Sequence, residues 1–343
     1  MRPRRLRVEC WKSCSIAVLE REIVTVLRVD RKRVLVDAAD GTALEAQISG
    51  RVAGSSGRMT SAVAVGDRVA VERTGSATAV IVGVEPRASV LMRPEVAGRW
   101  RRQVLVANAD RAVLVFAQHD PEPAAGLVDR LLVACHAGNV PPVLVFNKAD
   151  LAATERSASL VRLYEELGYE VMRTSAAQGV GLDRLAEILR GRSSVFAGPS
   201  GAGKSSLINR VLPGVHLRTG EISAASGKGR HTTTAAQLVR LEGGAGYVID
   251  TPGVKEFGLL GIAPVELALH FPEFPVPNQC RFLDCRHDTE PGCRVRAAAE
   301  SGVIRSSRYE SFRAFRKELE EEADREQNAP DRRRPPPANV RNR

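Results

Sequence analysis

The segment Gly198-Pro199-Ser200-Gly201-Ala202-Gly203-Lys204-Ser205, with Ser206 next, limits the possible folds more than any other part of the chain. It lies between an apolar run, Ser194–Ala197, and a stretch with helical periodicity, Lys204–Val211. A strand, a glycine-rich loop and a helix in that order make a phosphate cradle. The glycines let successive backbone N–H groups curl around phosphate oxygens, and the helix N-terminus favours the anion. Lys204 can reach the β and γ phosphates, and the Ser205 hydroxyl can bind Mg2+. Such a loop needs a parallel sheet with its carboxyl edge open. By itself it does not choose between adenine and guanine.

The flanking sequence supplies that sheet. Apolar runs at Ala112–Ala117, Val143–Phe146, Tyr169–Arg173, Ser194–Ala197 and Tyr247–Ile249 alternate with helical patterns at Leu127–Ala137, Glu155–Leu167, Leu182–Leu189 and Lys204–Val211. Strands spaced by helices predict a parallel sheet covered on both faces. Ahead of it, five short strands are predicted at Glu22–Val29, Arg33–Ala38, Ala43–Ile48, Arg68–Glu72 and Ala77–Val84, with Asp40-Gly41 as a hairpin turn. Their number and spacing predict a small β-barrel, of OB type or SH3-like, with Gly50–Ala62 as a loop carrying Arg51 and Arg58. The expected fold class is therefore multidomain: an OB-like barrel, an α/β phosphate-loop domain and a C-terminal metal-binding helical module. The expected divisions are a basic N-terminal segment 1–21, the barrel 22–85, a linker 86–98, the nucleotide domain 99–260, the C-terminal module 261–327 and a disordered tail 328–343. Helices at Arg294–Ser301 and Ser307–Glu326 belong to that module.

Asn147-Lys148-Ala149-Asp150 follows the strand Val143–Phe146, at the sheet edge where ligands bind. The Asp150 carboxylate can accept from the ring N–H and exocyclic amine of guanine; adenine offers an acceptor where guanine has that N–H. Asn147 can meet the far edge of the base, and the Lys148 stem can lie over its face. Ser175 and Ala176, in Thr174-Ser175-Ala176, can offer backbone N–H groups to the guanine oxygen. In Asp250-Thr251-Pro252-Gly253, Asp250 can hold magnesium through water and the Gly253 N–H can meet the γ-phosphate. Within Gly229-Arg230-His231-Thr232-Thr233-Thr234 one threonine completes the magnesium shell; the sequence does not say which, and Thr233 is the candidate. These motifs identify GTP and GDP as ligands. Asn147 precedes Gly198 and Asp250 comes last, so the motif order is circularly permuted relative to ordinary small GTPases. Chain ends usually lie close together at the surface, which lets one sheet tolerate such a cut. Val254 follows Gly253 where many GTPases carry a water-orienting glutamine. An aliphatic side chain cannot position water, so slow intrinsic hydrolysis is expected, with His231 the nearest candidate catalytic replacement.

Cys280, Cys285, His287 and Cys293 form C-x4-C-x-H-x5-C. Three thiolates and one imidazole make a closed tetrahedral zinc site, so one structural Zn2+ per chain is expected. The net charge of +10 favours polyanionic partners. No stretch approaches the roughly 20 apolar residues of a membrane span, and no secretory leader is read at the start. A cytoplasmic monomer without membrane association is expected.

The barrel, the order N-K-x-D, G-P-S-G-x-G-K-S-S, D-T-P-G, and the C-x4-C-x-H-x5-C knuckle together resemble the bacterial ribosome small-subunit-dependent GTPase A (RsgA/YjeQ) family over about Glu22 to Glu326. The resemblance implies a GTPase that binds the 30S ribosomal subunit and its 16S rRNA and assists late maturation. It also implies hydrolysis stimulated by the subunit, and an OB-fold that contacts ribosomal RNA. Two other readings stand beside it. One is a phosphate-loop ATPase or kinase, against which Asp150 argues. The other is an RNA-binding protein whose nucleotide site only switches affinity.

Overall fold

The structure is a computed structural model and describes residues 21–30, 33–38, 40–54, 61–94, 102–212, 237–241, 246–250, 259, 261–275 and 279–328. Five strands, β1 (Arg21–Asp30), β2 (Arg33–Asp37), β3 (Ala43–Ile48), β4 (Arg68–Arg73) and β5 (Thr78–Val84), run in the order β1-β2-β3-β5-β4, and β1–β4 pairing closes the barrel. Alternation dictates the closure: Val24, Val26, Val34, Val36, Leu44, Ala46, Val69, Val71, Ala79 and Ile81 share one face and form one core. The segment expected to be a loop opens with a helical turn, α1 (Gly50–Gly54), whose Val52 joins that core. A turn of helix between the third and fourth strands of a closed five-stranded barrel agrees with the OB-like expectation. Arg51 is exposed on this turn, whereas Arg58 lies outside the described residues.

Two strands stand beyond the barrel: β6 (Val90–Pro94) and β7 (Arg102–Ala107), paired antiparallel. The stretch expected as a linker thus carries a strand. Pro86 and Pro94 gave it a linker texture, but tertiary packing overrides that local signal. Leu91 and Val106 are fully buried in the core of the neighbouring α/β sheet.

That sheet comprises β8 (Arg111–Ala117), β9 (Pro142–Asn147), β10 (Val171–Arg173), β11 (Arg192–Ala197), β12 (Gln237–Arg240) and β13 (Gly246–Asp250), in the order β10-β9-β8-β11-β13-β12. Neighbouring pairs are parallel except β12–β13. Helices α2 (Ala125–Ala137), α3 (Glu155–Glu166), α4 (Leu182–Leu189) and α5 (Lys204–Val211) connect them. Alternate residues of β8 enter two separate cores, Ala112, Leu114 and Phe116 on one face and Val113 and Val115 on the other. Edge strand β12 was not foreseen. Gln237-Leu238-Val239-Arg240 is too short to signal a strand, and pairing alone makes it one.

β1 serves both bodies. One of its edges pairs with β4 over Arg21–Thr25 and then with β12 at Arg28↔Gln237, so the barrel and the α/β sheet are continuous. The register with β2 shifts between Val26 and Arg28, and such a bulge bends a strand. Val24 and Val26 lie in the barrel core, Leu27 at the bulge packs on the α/β core, and Val29 packs on both.

The C-terminal module contains a 3-10 turn at Leu267–His270 and helices α6 (Arg294–Glu300) and α7 (Ser306–Asn328). Its core of Leu267, Phe271, Phe274, Val295, Ile304, Phe312 and Phe315 includes Val133 from α2. Arg308 of α7 is 1% exposed and Asp129 of α2 is fully buried. Arg308 donates to Asp129 Oδ1 at 2.5 Å and to both Glu273 oxygens at 2.6 and 3.1 Å. The Tyr164 hydroxyl of α3 donates to the same Asp129 oxygen at 2.6 Å. Among the described residues no helix is long and apolar enough to cross a membrane.

Removing Arg308 would strand two carboxylates without their cation. Arg308→Ala should cost about 3–5 kcal/mol in denaturant unfolding. The more exposed pair Arg130–Glu318 should cost under about 1 kcal/mol when Arg130 is replaced by Ala. A lone buried Asp129 would titrate above its unfolded value, so it folds more favourably when protonated and the Arg308→Ala deficit should shrink as pH falls. A deficit independent of pH would contradict this account of the ion cluster.

Candidate functional site

The connections leave β8 and β11 in opposite directions across the sheet, β8 towards β9 and β11 towards β13. A crevice at the carboxyl ends of such neighbours is where open α/β sheets bind ligands. The phosphate loop follows β11 there, and Asn147-Lys148-Ala149-Asp150 follows β9. A Cβ on Gly198 would stand 2.0 Å from the Val115 carbonyl oxygen, so only glycine lets the loop leave against β8. Gly203 has a φ of +89°, and a Cβ there would meet Asn147 Nδ2 at 2.2 Å. Lys204 Nζ donates to the carbonyls of Gly198 and Pro199, both at 2.8 Å, which holds the ammonium against the loop. Ser205 and Ser206 are half-buried in the first turn of α5, while Ser200 and Gly201 are exposed at the tip.

Asn147 joins the parts. It is 1% exposed, its Nδ2 donates to the Ala202 carbonyl at 2.9 Å, and its Oδ1 accepts from Thr174 Oγ1 at 3.2 Å and the Ala176 N–H at 3.3 Å. Its amide, which the sequence suggested for the edge of a base, links the phosphate loop to the segment after β10. Thr174 gains a part that its hydroxyl alone would not signal. The Ala149 N–H donates to the Thr174 carbonyl at 2.9 Å. Lys148, at φ 62°, donates through Nζ to the Asp120 carbonyl, so its stem is fixed beside the loop after β8. Asp150 is exposed, and its Oδ1 accepts from the buried Ser175 hydroxyl at 2.5 Å. The Ser175 Oγ accepts in turn from the Gln178 N–H at 3.0 Å. The carboxylate, the lysine stem, Ser175, Ala176 and the phosphate loop therefore converge on one edge of one sheet.

Asp250 ends β13, directly opposite Gln237 of β12. His231, Thr233, Gly253 and Val254 lie outside the described residues, as do the N-terminal segment up to residue 20 and the tail from 329.

In the C-terminal module Cys280, Cys285, His287 and Cys293 bring one ligand atom each within 4.8 Å of one another. Cys280 Sγ and Cys293 Sγ lie 3.5 and 3.6 Å from His287 Nδ1. With Zn–S about 2.3 Å and Zn–N about 2.0–2.1 Å, tetrahedral geometry puts sulfur and nitrogen about 3.5 Å apart. The donors thus fit a tetrahedral cation. Backbone N–H groups of Arg294 and Arg296 donate to Cys280 Sγ and Cys293 Sγ, both at 3.3 Å, a pattern that supports thiolates. The Tyr309 hydroxyl donates to the His287 carbonyl at 2.8 Å. Burial lowers the His287 pKa, which favours the neutral imidazole a metal needs. Burial pushes the Cys285 thiol up to about 12, so a cation is needed to hold it as thiolate.

Comparison with known proteins agrees with this geometry. The model of the RsgA GTPase family matches residues 84–260. The small ribosomal subunit biogenesis GTPase RsgA of Moorella thermoacetica is 44% identical over 255 residues, covering 74% of this chain and 84% of that protein. Its namesake from Gemmatimonas aurantiaca is 45% identical over 260 residues, covering 75% and 84%. The crystal structure of YjeQ from Thermotoga maritima superposes with a TM-score of 0.69 at 35% identity, covering 88% of this chain and 99% of that one. YloQ, described as a circularly permuted GTPase, shares the fold with a TM-score of 0.65 at 22% identity. The chain belongs to the RsgA GTPase family.

Proposed function

We propose that this GTPase works on the small ribosomal subunit, binding the 30S particle through its 16S rRNA and assisting its late maturation. The relatives at 44 and 45% identity are named for biogenesis of the small ribosomal subunit, and the net charge of +10 suits an RNA surface. The single observation that carries the nucleotide reading is the Asn147 tie, which brings the phosphate loop and the Asp150 loop to one site.

In this reading Asp150 selects guanine, with the Lys148 stem along its face and the Ser175 and Ala176 amides at its oxygen. The backbone N–H groups from Gly198 to Ser206, Pro199 excepted, and the Lys204 ammonium hold the phosphates. Ser205, Asp250 and Thr233 would hold Mg2+, which neutralises charge on the β and γ phosphates. Gly253 reports the γ-phosphate, and His231 orients the attacking water that Val254 cannot. Cys280, Cys285, His287 and Cys293 hold one structural Zn2+. The barrel, with Arg51 and Arg58 on one connection, meets rRNA. The protein acts as a monomer in the cytoplasm.

Three measurements test this. Asp150→Asn should weaken GTP binding by about 2–3 kcal/mol and strengthen xanthine-nucleotide binding, because a charged hydrogen-bond partner is lost; equal affinity of the wild type for ATP and GTP would remove the assignment. Elemental analysis should find one zinc per chain, and Cys285→Ser should lower the unfolding temperature while sparing GTP affinity; a metal-free, fully folded preparation would refute the zinc reading. Turnover should be slow alone and rise with purified 30S subunits, and His231→Ala should keep 30S binding yet lose most of the rise. A wild-type rate unmoved by 30S subunits would favour the affinity-switch alternative.

A further inference from the structure

Asp37 ends the barrel strand β2, and nothing in its local sequence marks it for chemistry. In the fold it points away from its own domain. It is 9% exposed, and its carboxylate accepts from the Tyr247 hydroxyl at 2.7 Å and from Arg240 Nη1 at 3.2 Å. Arg240 closes β12, Tyr247 stands directly opposite it on β13, and Tyr247 also packs on the α/β core. One barrel carboxylate therefore holds both arms of the hairpin whose far end is Asp250. Burial and the neighbouring Asp37 push the Tyr247 hydroxyl up to about 12, so it remains a donor across ordinary pH.

The backbone register makes this grip matter. Arg28 of β1 pairs with Gln237 of β12, and Gln237 pairs with Asp250 of β13. The barrel strand thus stands two strands from Asp250 in one transverse row. At one end of the hairpin the constraint is this backbone pairing; at the other it is the Asp37 carboxylate. A hairpin fixed at both ends cannot slide or twist without breaking one of them. Its only other flank is β11, which carries the phosphate loop.

We infer that Asp37, acting through Tyr247 and Arg240, is a positioning residue for GTP hydrolysis: it sets the β12–β13 hairpin so that Asp250 meets the magnesium beside the phosphate loop. The inference rests on the reading of Asp250 as a magnesium-holding carboxylate. It makes the barrel part of the catalytic geometry as well as a binding module. Groups bound to the barrel and the state of the nucleotide site then act on the same hairpin.

The test uses the full-length protein with GTP and MgCl2. Tyr247→Phe removes only the hydroxyl and keeps the ring on the core; Asp37→Asn removes the charge. Expected are an intrinsic single-turnover rate lowered about tenfold and a raised magnesium concentration for half-maximal rate, with the GTP dissociation constant within about twofold of wild type. A contact that merely supports the fold would not divide rate from affinity in this way. The double variant should lose no more than the worse single one, because the two groups act as a unit. Asp37→Glu, which keeps the charge, should recover part of the rate. Asp250→Asn serves as the reference and should lose magnesium-dependent turnover outright. If Tyr247→Phe and Asp37→Asn match wild type in rate and magnesium dependence while Asp250→Asn is inactive, the positioning role is overturned and the magnesium reading stands. If Asp250→Asn itself turns over normally, the magnesium reading fails and the positioning role falls with it.

Discussion

Strand β8 is buried on both faces, and so are its neighbours β9 and β11. A strand in that situation offers the solvent only its two ends, so any polar chemistry it supports must sit on the loops that leave it. Parallel pairing then sends the carboxyl ends of all three in one direction. The Asn147–Asp150 loop, the segment with Ser175 and Ala176, the phosphate loop and Asp250 come from positions up to 103 residues apart in the chain. They meet because the apolar runs behind them have no alternative face to expose. The cut in the chain that permutes the motif order leaves this argument untouched, since it depends on strand neighbours and not on strand sequence.

Two kinds of buried polar group fix what the sheet has gathered. Asn147 is neutral and satisfied by three partners drawn from two loops, which joins the segment after β10 to the phosphate loop at small desolvation cost. Arg308 is charged, and it is tolerated in the interior only because Asp129 and Glu273 surround it and the Phe271 ring lies 4.6 Å below its guanidinium. The first contact orders the site. The second fastens the C-terminal module to α2 and α3, the helices that cover the sheet on the face away from α4 and α5. A pair of charges in such a place specifies one docking geometry more sharply than apolar packing would, since any other leaves carboxylates unpaired.

The N-terminal barrel obeys the same economy of edges. An exposed sheet edge is a hazard that proteins cover, and β12 has an open flank. The bulge in β1 turns the barrel's longest strand across that flank, and Asp37 completes the contact from β2. The barrel is consequently an extension of the nucleotide sheet on the side of Asp250, whereas the C-terminal module packs on helix α2 between β8 and β9. A large partner touching both would grip the nucleotide site from two directions.

Much of this was legible in the residues alone. All five barrel strands, all four sheet helices and the phosphate loop follow from period-2 and period-3.6 patterning, and the Cys280–Cys293 knuckle follows from ligand type and spacing, because these signals are local. β12, the α1 turn and the β6–β7 ribbon were not legible: each is short, and each is made by partners far away in sequence, such as β13 for β12. The same limit applies to side chains. Asp150 and Lys204 stand out by motif chemistry alone. That Asn147 would spend its amide on Ala202 and Ala176, that Arg308 would lie buried against Asp129, and that Asp37 would reach Tyr247 depended on which surfaces met when the cores closed. The sequence by itself determined which groups could do the chemistry; long-range packing, which no local pattern encodes, decided which of them hold one another in place.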